Sequence, residues 1–317
     1  MQDYPATVAE RNRWITLRRG SKRSLNPLRP YAFFAEDEID GARIQAATNT
    51  LFLTNRECRY RCLMCDLWQD TLDETTPIGA IPAQIEFALA NLPPAKQIKL
   101  YNAGSFFDPL SVPVEDYRRI AGLVDNFSRV IVECHPNLIG DQCLAFNDLI
   151  PAQLEVAIGL ETVNDAVLDK LNKRFTVQDF RRAAAQLCGA GIDLRVFLLV
   201  RPPFLTEAEA VEWAMRSLDE AFDCGATVCT LIPVRAGNGA MEALQRAGLW
   251  DRPQLKSLET TMEYGLRQQR GRVFADLWDL DGKSGCVCDA ERILRLAVMN
   301  RTQLIPEAVV CKLCAES

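Results

Sequence analysis

The stretch Thr48-Asn-Thr-Leu-Phe-Leu-Thr54 runs straight into Asn55-Arg-Glu-Cys58-Arg-Tyr-Arg-Cys62-Leu-Met-Cys65-Asp66, and the rest of the chain is read outward from it. Its first half is apolar and partly β-branched, as a strand buried on both faces should be. Its second half places three cysteines in the loop that leaves that strand. Similar strand candidates recur at Gln97–Asn102, Arg129–Glu133, Leu154–Glu161, Asp193–Arg201 and Ala226–Ile232. Amphipathic helical patterns lie between them at Pro82–Asn91, Val114–Asn126, Asn164–Leu171, Val177–Ala190 and Glu207–Cys224. This β-then-α alternation predicts an α/β fold of parallel strands joined by right-handed crossovers. Periodicity alone leaves the sheet free to close, to close in part or to stay open.

The chain divides into a basic N-terminal arm over 1–45, the alternating region over 46–235, and an extension over 236–317. The extension shows helical patterns at Ala240–Ala247 and Gln254–Gln269, a last strand candidate at Arg272–Leu277, and a cysteine-bearing tail. Apolar residues make up 48% of the 317, enough for a large core. No apolar run is long enough for a membrane span, and the N-terminus lacks a secretory pattern, so a cytoplasmic protein without membrane association is expected. In that setting twelve cysteines point to metal or redox use rather than to disulfides. A single histidine, His135, disfavours histidine-rich zinc sites and Ser-His-Asp catalysis. A net charge of −6 argues against indiscriminate nucleic-acid binding, yet it permits a local basic patch.

Cys58, Cys62 and Cys65 follow C-x-x-x-C-x-x-C spacing. Three thiolates this close suit three corners of a [4Fe–4S] cubane and leave the fourth iron open. A zinc site is the rival reading, but no histidine or further cysteine lies nearby to complete one. The open iron is suited to bind S-adenosylmethionine, whose reductive cleavage yields a 5′-deoxyadenosyl radical. In these features the chain resembles the radical S-adenosylmethionine superfamily over roughly residues 45–235. The resemblance implies a partial (β/α)6 barrel of parallel strands, with the cysteine-bearing extension following it, and an electron-donor protein as partner.

Active sites of parallel barrels lie at the C-terminal strand ends. By the resemblance, Met64 lies near the adenine, and the segment Tyr101-Asn102-Ala-Gly104-Ser105 holds the cofactor's amino group, through Gly104 and either Asn102 or Ser105. Glu133 and His135 follow the next strand. Glu161 ends an apolar strand and must meet either a buried partner or the charged cofactor, since an unpaired buried carboxylate is costly. Arg201 is placed to steady a carboxylate or to form a surface ion pair.

Four longer stretches narrow the resemblance: Gly104-Ser-Phe-Phe-Asp-Pro109, Leu154–Thr162, Leu171-Asn-Lys-Arg-Phe-Thr176 and Leu198–Glu207. Together they are similar to the radical subunit family of archaeosine synthase, and more loosely to the catalytic subunit family of elongator. The implied reaction is cleavage of a lysine C–N bond on a 7-deazaguanine nucleoside in tRNA. A radical enzyme of small-molecule or peptide biosynthesis is the alternative, and a non-catalytic metal-stabilised binding protein the third reading.

Two features remain. Cys286-x-Cys288 and Cys311-x-x-Cys314 are expected to share a second site, either zinc or an iron–sulfur cluster. Cys134, Cys143, Cys188, Cys224 and Cys229 read as independent thiols. In the arm, Arg11, Arg13, Arg18, Arg19, Lys22, Arg23 and Arg29 surround Trp14 with no acidic residue among them. That arm reads either as solvated, or as a strap whose Trp14 stacks on a base while the cations meet phosphates.

Overall fold

The computed structural model describes residues 4–280 and 286–315, without the side chains of residues 314 and 315. Eight strands form one sheet in sequence order: β1 (Ala32–Ile39), β2 (Gln45–Leu53), β3 (Gln97–Asn102), β4 (Arg129–Glu133), β5 (Gln153–Glu161), β6 (Asp193–Val200), β7 (Ala226–Pro233) and β8 (Arg272–Ala275). β1 runs antiparallel to β2, and every later neighbour pair is parallel. The expected parallel barrel strands are therefore β2 to β7. The sheet is larger than a six-stranded barrel by one strand at each edge. β8 comes from the extension, and β1 from the region read as an arm.

The outward side chains of the parallel strands, such as Ile98, Leu100, Val130, Val132, Leu154, Val156, Leu194 and Val196, are fully buried in the main core. The helices are α1 (Val8–Thr16), α2 (Ala80–Leu89), α3 (Tyr117–Leu123), α4 (Asp141–Leu149), α5 (Asp165–Lys170), α6 (Val177–Gly189), α7 (Glu207–Asp223), α8 (Ala240–Arg246), α9 (Leu255–Gln268), α10 (Asp289–Thr302) and the short α11 (Lys312–Ala315), and apolar residues of α2 to α7, α9 and α10 complete that core. Thr176 and Thr206 cap α6 and α7 through boxes closed by Asp179 and Glu209. α6 then buries Val177, Phe180, Ala183, Ala184 and Leu187, the spacing of a single apolar face.

The inward face shows how far the sheet curls. Tyr101 on β3 meets Phe197 on β6, which is not its neighbour in the sheet, at 6.1 Å between ring centroids. Below that layer lies a buried charge network. Glu38 on β1 pairs with Lys99 on β3 and Arg195 on β6, and Glu155 on β5 pairs with Arg195 and Arg129. The Arg272 guanidinium on β8 donates to the Ile39 carbonyl on β1 at 2.8 Å. Arg195 and Lys99 hold the Glu38 carboxyl far below its ordinary range against the opposing cost of burial. Removing one member of such a set costs about 3–5 kcal/mol, because its partner is left charged and buried.

β1 and β8 share no ladder, and α10 packs against both. Its Asn300 amide pairs with the N–H and C=O of Ala275, and its Gln303 amide with those of Val273, at 2.8–3.0 Å. The charged run Glu36–Asp40, within the region assigned to the arm, is instead the end of β1 and its turn. Glu36 and Glu38 both bond Lys99, and the Asp40 carboxylate accepts the N–H groups of Ala42 and Ile44. No helix among the described residues is long and apolar enough to cross a membrane.

Candidate functional site

The loop carrying Cys58, Cys62 and Cys65 sits on the C-terminal strand ends and is held by side chains from several other segments. Asn172, between α5 and α6, donates from its amide to the Arg61 carbonyl at 2.7 Å and to Asn12 on α1 at 2.8 Å. Asn238, after β7, donates to the carbonyls of Leu63 and Cys65 at 2.8 and 3.2 Å. Arg59 grips Asp108, after β3, with two hydrogen bonds. Arg19 and Lys22 reach the Glu57 carboxylate, each at 2.7 Å. Leu63 is fully buried in an apolar cluster with Ile15, Val167, Leu171 and Met241, and Met64 packs against the same cluster. Burial pushes the Cys58 and Cys62 thiols up to about 11 and Cys65 to about 12.

The strand ends converge beside this loop. Asn102, at the end of β3, is buried, and neither its Nδ2 nor its Oδ1 has a hydrogen-bond partner. A β-carbon on Gly104 would lie 3.5 Å from Cys58 Cβ and 3.6 Å from Asn102 Nδ2, which places the unsatisfied amide next to the first cysteine. Glu133, at the end of β4, accepts from the Asn102 N–H at 3.2 Å, and burial raises its carboxyl to about 8. The Ser105 hydroxyl accepts the His135 N–H at 3.0 Å. His135 is fully engaged: Nδ1 accepts from the Asn137 N–H, and Nε2 lies 2.8 Å from the Lys173 carbonyl, so Nε2 carries the proton. Burial and the nearby Lys173 lower its pKa to about 3. The ring stacks on Tyr60 of the cysteine loop, with centroids 3.8 Å apart. The only histidine thus braces that loop as a neutral ring.

Glu161, at the end of β5, has a buried partner. Its Oε1 accepts from Lys173 Nζ at 2.7 Å, and Glu161 outweighs burial and holds the Lys173 ammonium above its ordinary range. Gly159 makes room for this pair, since a β-carbon there would lie 2.4 Å from Glu161 Oε1 and 3.0 Å from Lys173 Nζ. Arg201 ion-pairs with Glu207 at 2.6 Å and donates to the Arg252 carbonyl. Glu161, Asn172, Arg174, Arg201 and Phe204 all have positive φ without being glycine. Such strained backbone costs on the order of 1 kcal/mol or more per residue, and it tends to gather at functional sites.

Sequence reasoning did not select Lys173, Asn172 or Asn238. Lys173 lies between Asn172 and Arg174 in a loop, where a lysine reads as surface, and nothing local marks it as buried. The arm also differs from the expectation. Arg11 pairs with Asp169, Arg23 with Asp70, and Arg19 and Lys22 with Glu57. Arg18 lies 3.6 Å above the Trp14 ring and Arg29 3.9 Å above Phe87. Trp14 packs edge-on against Tyr4. The arm is a brace for the cysteine loop, neither a solvated tail nor a strap with a free indole. Beside it an open groove is lined by Asn12, Arg13, Thr16, Leu17, Arg59 and Arg61. Of the second cysteine group, Cys286, Cys288 and Cys311 come together, and the Cys314 side chain lies outside the described residues.

No protein-family model matches the chain. It is 32% identical over 237 residues, 70% of this chain and 67% of the relative, to archaeosine synthase subunit beta of Methanosarcina acetivorans. It is 28% identical over 211 residues, 63% of this chain and 65% of the relative, to archaeosine synthase subunit beta of Thermococcus kodakarensis. The chain thus spans about two thirds of the length of each. Among solved structures it is similar to coproporphyrinogen III oxidase of Escherichia coli, described as a radical SAM enzyme. The TM-score is 0.50 at 14% identity, over 82% of this chain and 55% of that one, a likeness of fold. The chain belongs to the radical S-adenosylmethionine enzymes, in the family that includes archaeosine synthase subunit beta.

Proposed function

We propose that Cys58, Cys62 and Cys65 hold a [4Fe–4S] cluster, that S-adenosylmethionine binds over the ends of β3, β4 and β5, and that the substrate is a modified nucleoside in tRNA. The observation that carries the site is the buried Asn102 amide, without a partner beside Cys58. A buried amide left unsatisfied costs about 1–3 kcal/mol, and a polar ligand at that place recovers it. The donor set fits the cluster: three thiols on one loop, fixed by hydrogen bonds to the backbone of Arg61, Leu63 and Cys65. When bound, the cluster and cofactor supply one-electron cleavage of the sulfonium and a carbon radical that abstracts hydrogen from substrate.

The chain's own residues orient and enclose. Asn102 presents a donor and an acceptor to the cofactor's polar groups. The Glu161–Lys173 pair sets a fixed dipole beside the thiolates, and Glu133, neutral at pH 7, is able to donate a hydrogen bond. The groove next to the cysteine loop offers the exposed Arg13 to a phosphate, flanked by Arg59 and Arg61, which are paired with Asp108 and Glu57. The relatives are named for archaeosine synthesis, and C–N cleavage of a lysine adduct in tRNA is the reaction we assign. The test is anaerobic reconstitution with strong reductant, S-adenosylmethionine and tRNA carrying the lysine adduct. We expect 5′-deoxyadenosine and a formamidine nucleoside by mass spectrometry. 5′-Deoxyadenosine with no change in the tRNA would point to another substrate, and the absence of both would overturn the radical assignment.

A further inference from the structure

We propose that Cys286, Cys288 and Cys311 hold a single zinc ion, and that this ion anchors the helix closing the barrel rather than carrying electrons. Cys288 Sγ lies 3.4 Å from Cys286 Sγ, and Cys286 Sγ lies 3.7 Å from Cys311 Sγ. All three sulfurs fall within 4.8 Å of one another. Zinc–sulfur bonds of about 2.3 Å in a tetrahedron put neighbouring sulfurs about 3.8 Å apart. A [4Fe–4S] cluster holds each thiolate on a different iron and a [2Fe–2S] cluster at most two on one iron, so three thiolates on a cluster are spread by its width. The packing of these three sulfurs is that of one ion. Cys314, at C-x-x-C spacing from Cys311, is the expected fourth ligand from sequence.

The surroundings are built for an anionic thiolate cage. Arg292, one turn into α10 and buried, donates from Nε to Cys288 Sγ at 3.2 Å and ion-pairs with Glu259 on α9. Cys288 is the N-cap of α10, where backbone N–H groups favour negative charge. Zinc with four thiolates carries two negative charges, and Arg292 offsets part of that while fixing the ligand's direction. The ligands also bracket the helix, because Cys286 and Cys288 precede α10 and Cys311 follows it. Arg295 ties the returning segment to the same helix through the carbonyls of Pro306 and Glu307. Zinc is redox-inert, so this cage serves the fold.

Full-length protein purified anaerobically is examined by metal analysis and zinc-edge X-ray absorption. The expected result is one zinc per chain with sulfur neighbours at about 2.3 Å, retained when Cys58→Ala, Cys62→Ala and Cys65→Ala together remove the iron. Cys286→Ser with Cys288→Ser loses the zinc and keeps the iron. Iron left in the first triple variant, mononuclear or clustered, overturns the proposal, as does zinc with only oxygen or nitrogen neighbours. Should the serine pair fail to fold, the absorption spectrum of the unaltered chain decides alone.

Discussion

The two cysteine groups use the same ligand chemistry and are held in opposite ways. Cys58, Cys62 and Cys65 lie on one loop whose backbone is fixed by Asn172 and Asn238. Cys286, Cys288 and Cys311 lie sulfur against sulfur on segments that flank a helix, with Arg292 donating directly to one thiol. At the first site the protein positions a loop and leaves polar atoms such as the Asn102 amide unsatisfied. At the second, the sulfurs are gathered closely enough for a single ion to bridge them.

The sharpest way to break this contrast is to replace Cys58, Cys62 and Cys65 by alanine. 5′-Deoxyadenosine release should fall to background, roughly 10³-fold or more, while circular dichroism stays native. Unfolding instead would make the first group structural as well. Next in size is Glu161→Gln, which leaves Lys173 charged and without its carboxylate. Loss of one partner of a buried pair costs about 3–5 kcal/mol, so a Tm fall of several degrees should accompany weaker S-adenosylmethionine binding. Unchanged cofactor affinity by calorimetry would confine the pair to stability. Asn172→Ala removes two hydrogen bonds that hold the loop, each worth about 0.5–1.5 kcal/mol. The measurable effect should be slower cluster reconstitution, with little change in zinc content.

A smaller effect is pH dependence at the first site. Folding raises Glu133 to about 8 from an ordinary 4.5. The folded state therefore binds the extra proton, and stability is lost as pH rises from the unfolded value through 8, at up to about 1.4 kcal/mol per pH unit. His135 titrates near 6.5 when unfolded and about 3 when folded, so it is neutral in both states above pH 7. Around pH 7.5 the slope belongs chiefly to Glu133, and above pH 8 the buried thiols, which folding also raises from 9, add to it. Glu133→Gln should flatten Tm against pH around pH 7.5, and an unchanged slope there would assign it elsewhere.

The six barrel strands were legible because each is a short apolar run buried on both faces, and Gln97–Asn102 and Arg129–Glu133 match to the residue. β1 was hidden by its charge. Glu36 and Glu38 make a strand read as a solvated run, and only the folded barrel brings Lys99 and Arg195 to meet them. α1 was hidden in the same way, as seven basic residues drew attention from Ile15 and from the capping box of Thr7 and Glu10. The three site cysteines carry their signal in spacing. Asn172 and Lys173 fall in a stretch that narrowed the resemblance, but neither they nor Asn238 carry a mark of their role, since their contacts with residues 61–65 and 161 are made by loops that meet only after the barrel curls.

The amides of Asn300 and Gln303 occupy the backbone groups of β8 that a ninth strand would use. Two side chains one helical turn apart thereby stand in for an extended chain, and strand count is capped by a helix. A free strand edge is a template for self-association, so the same contacts suppress polymerisation of an open barrel. Chelation that loosens α10 should accordingly be read in light scattering before it is read in catalysis, as slow growth of β-rich assemblies from protein whose radical centre is still intact.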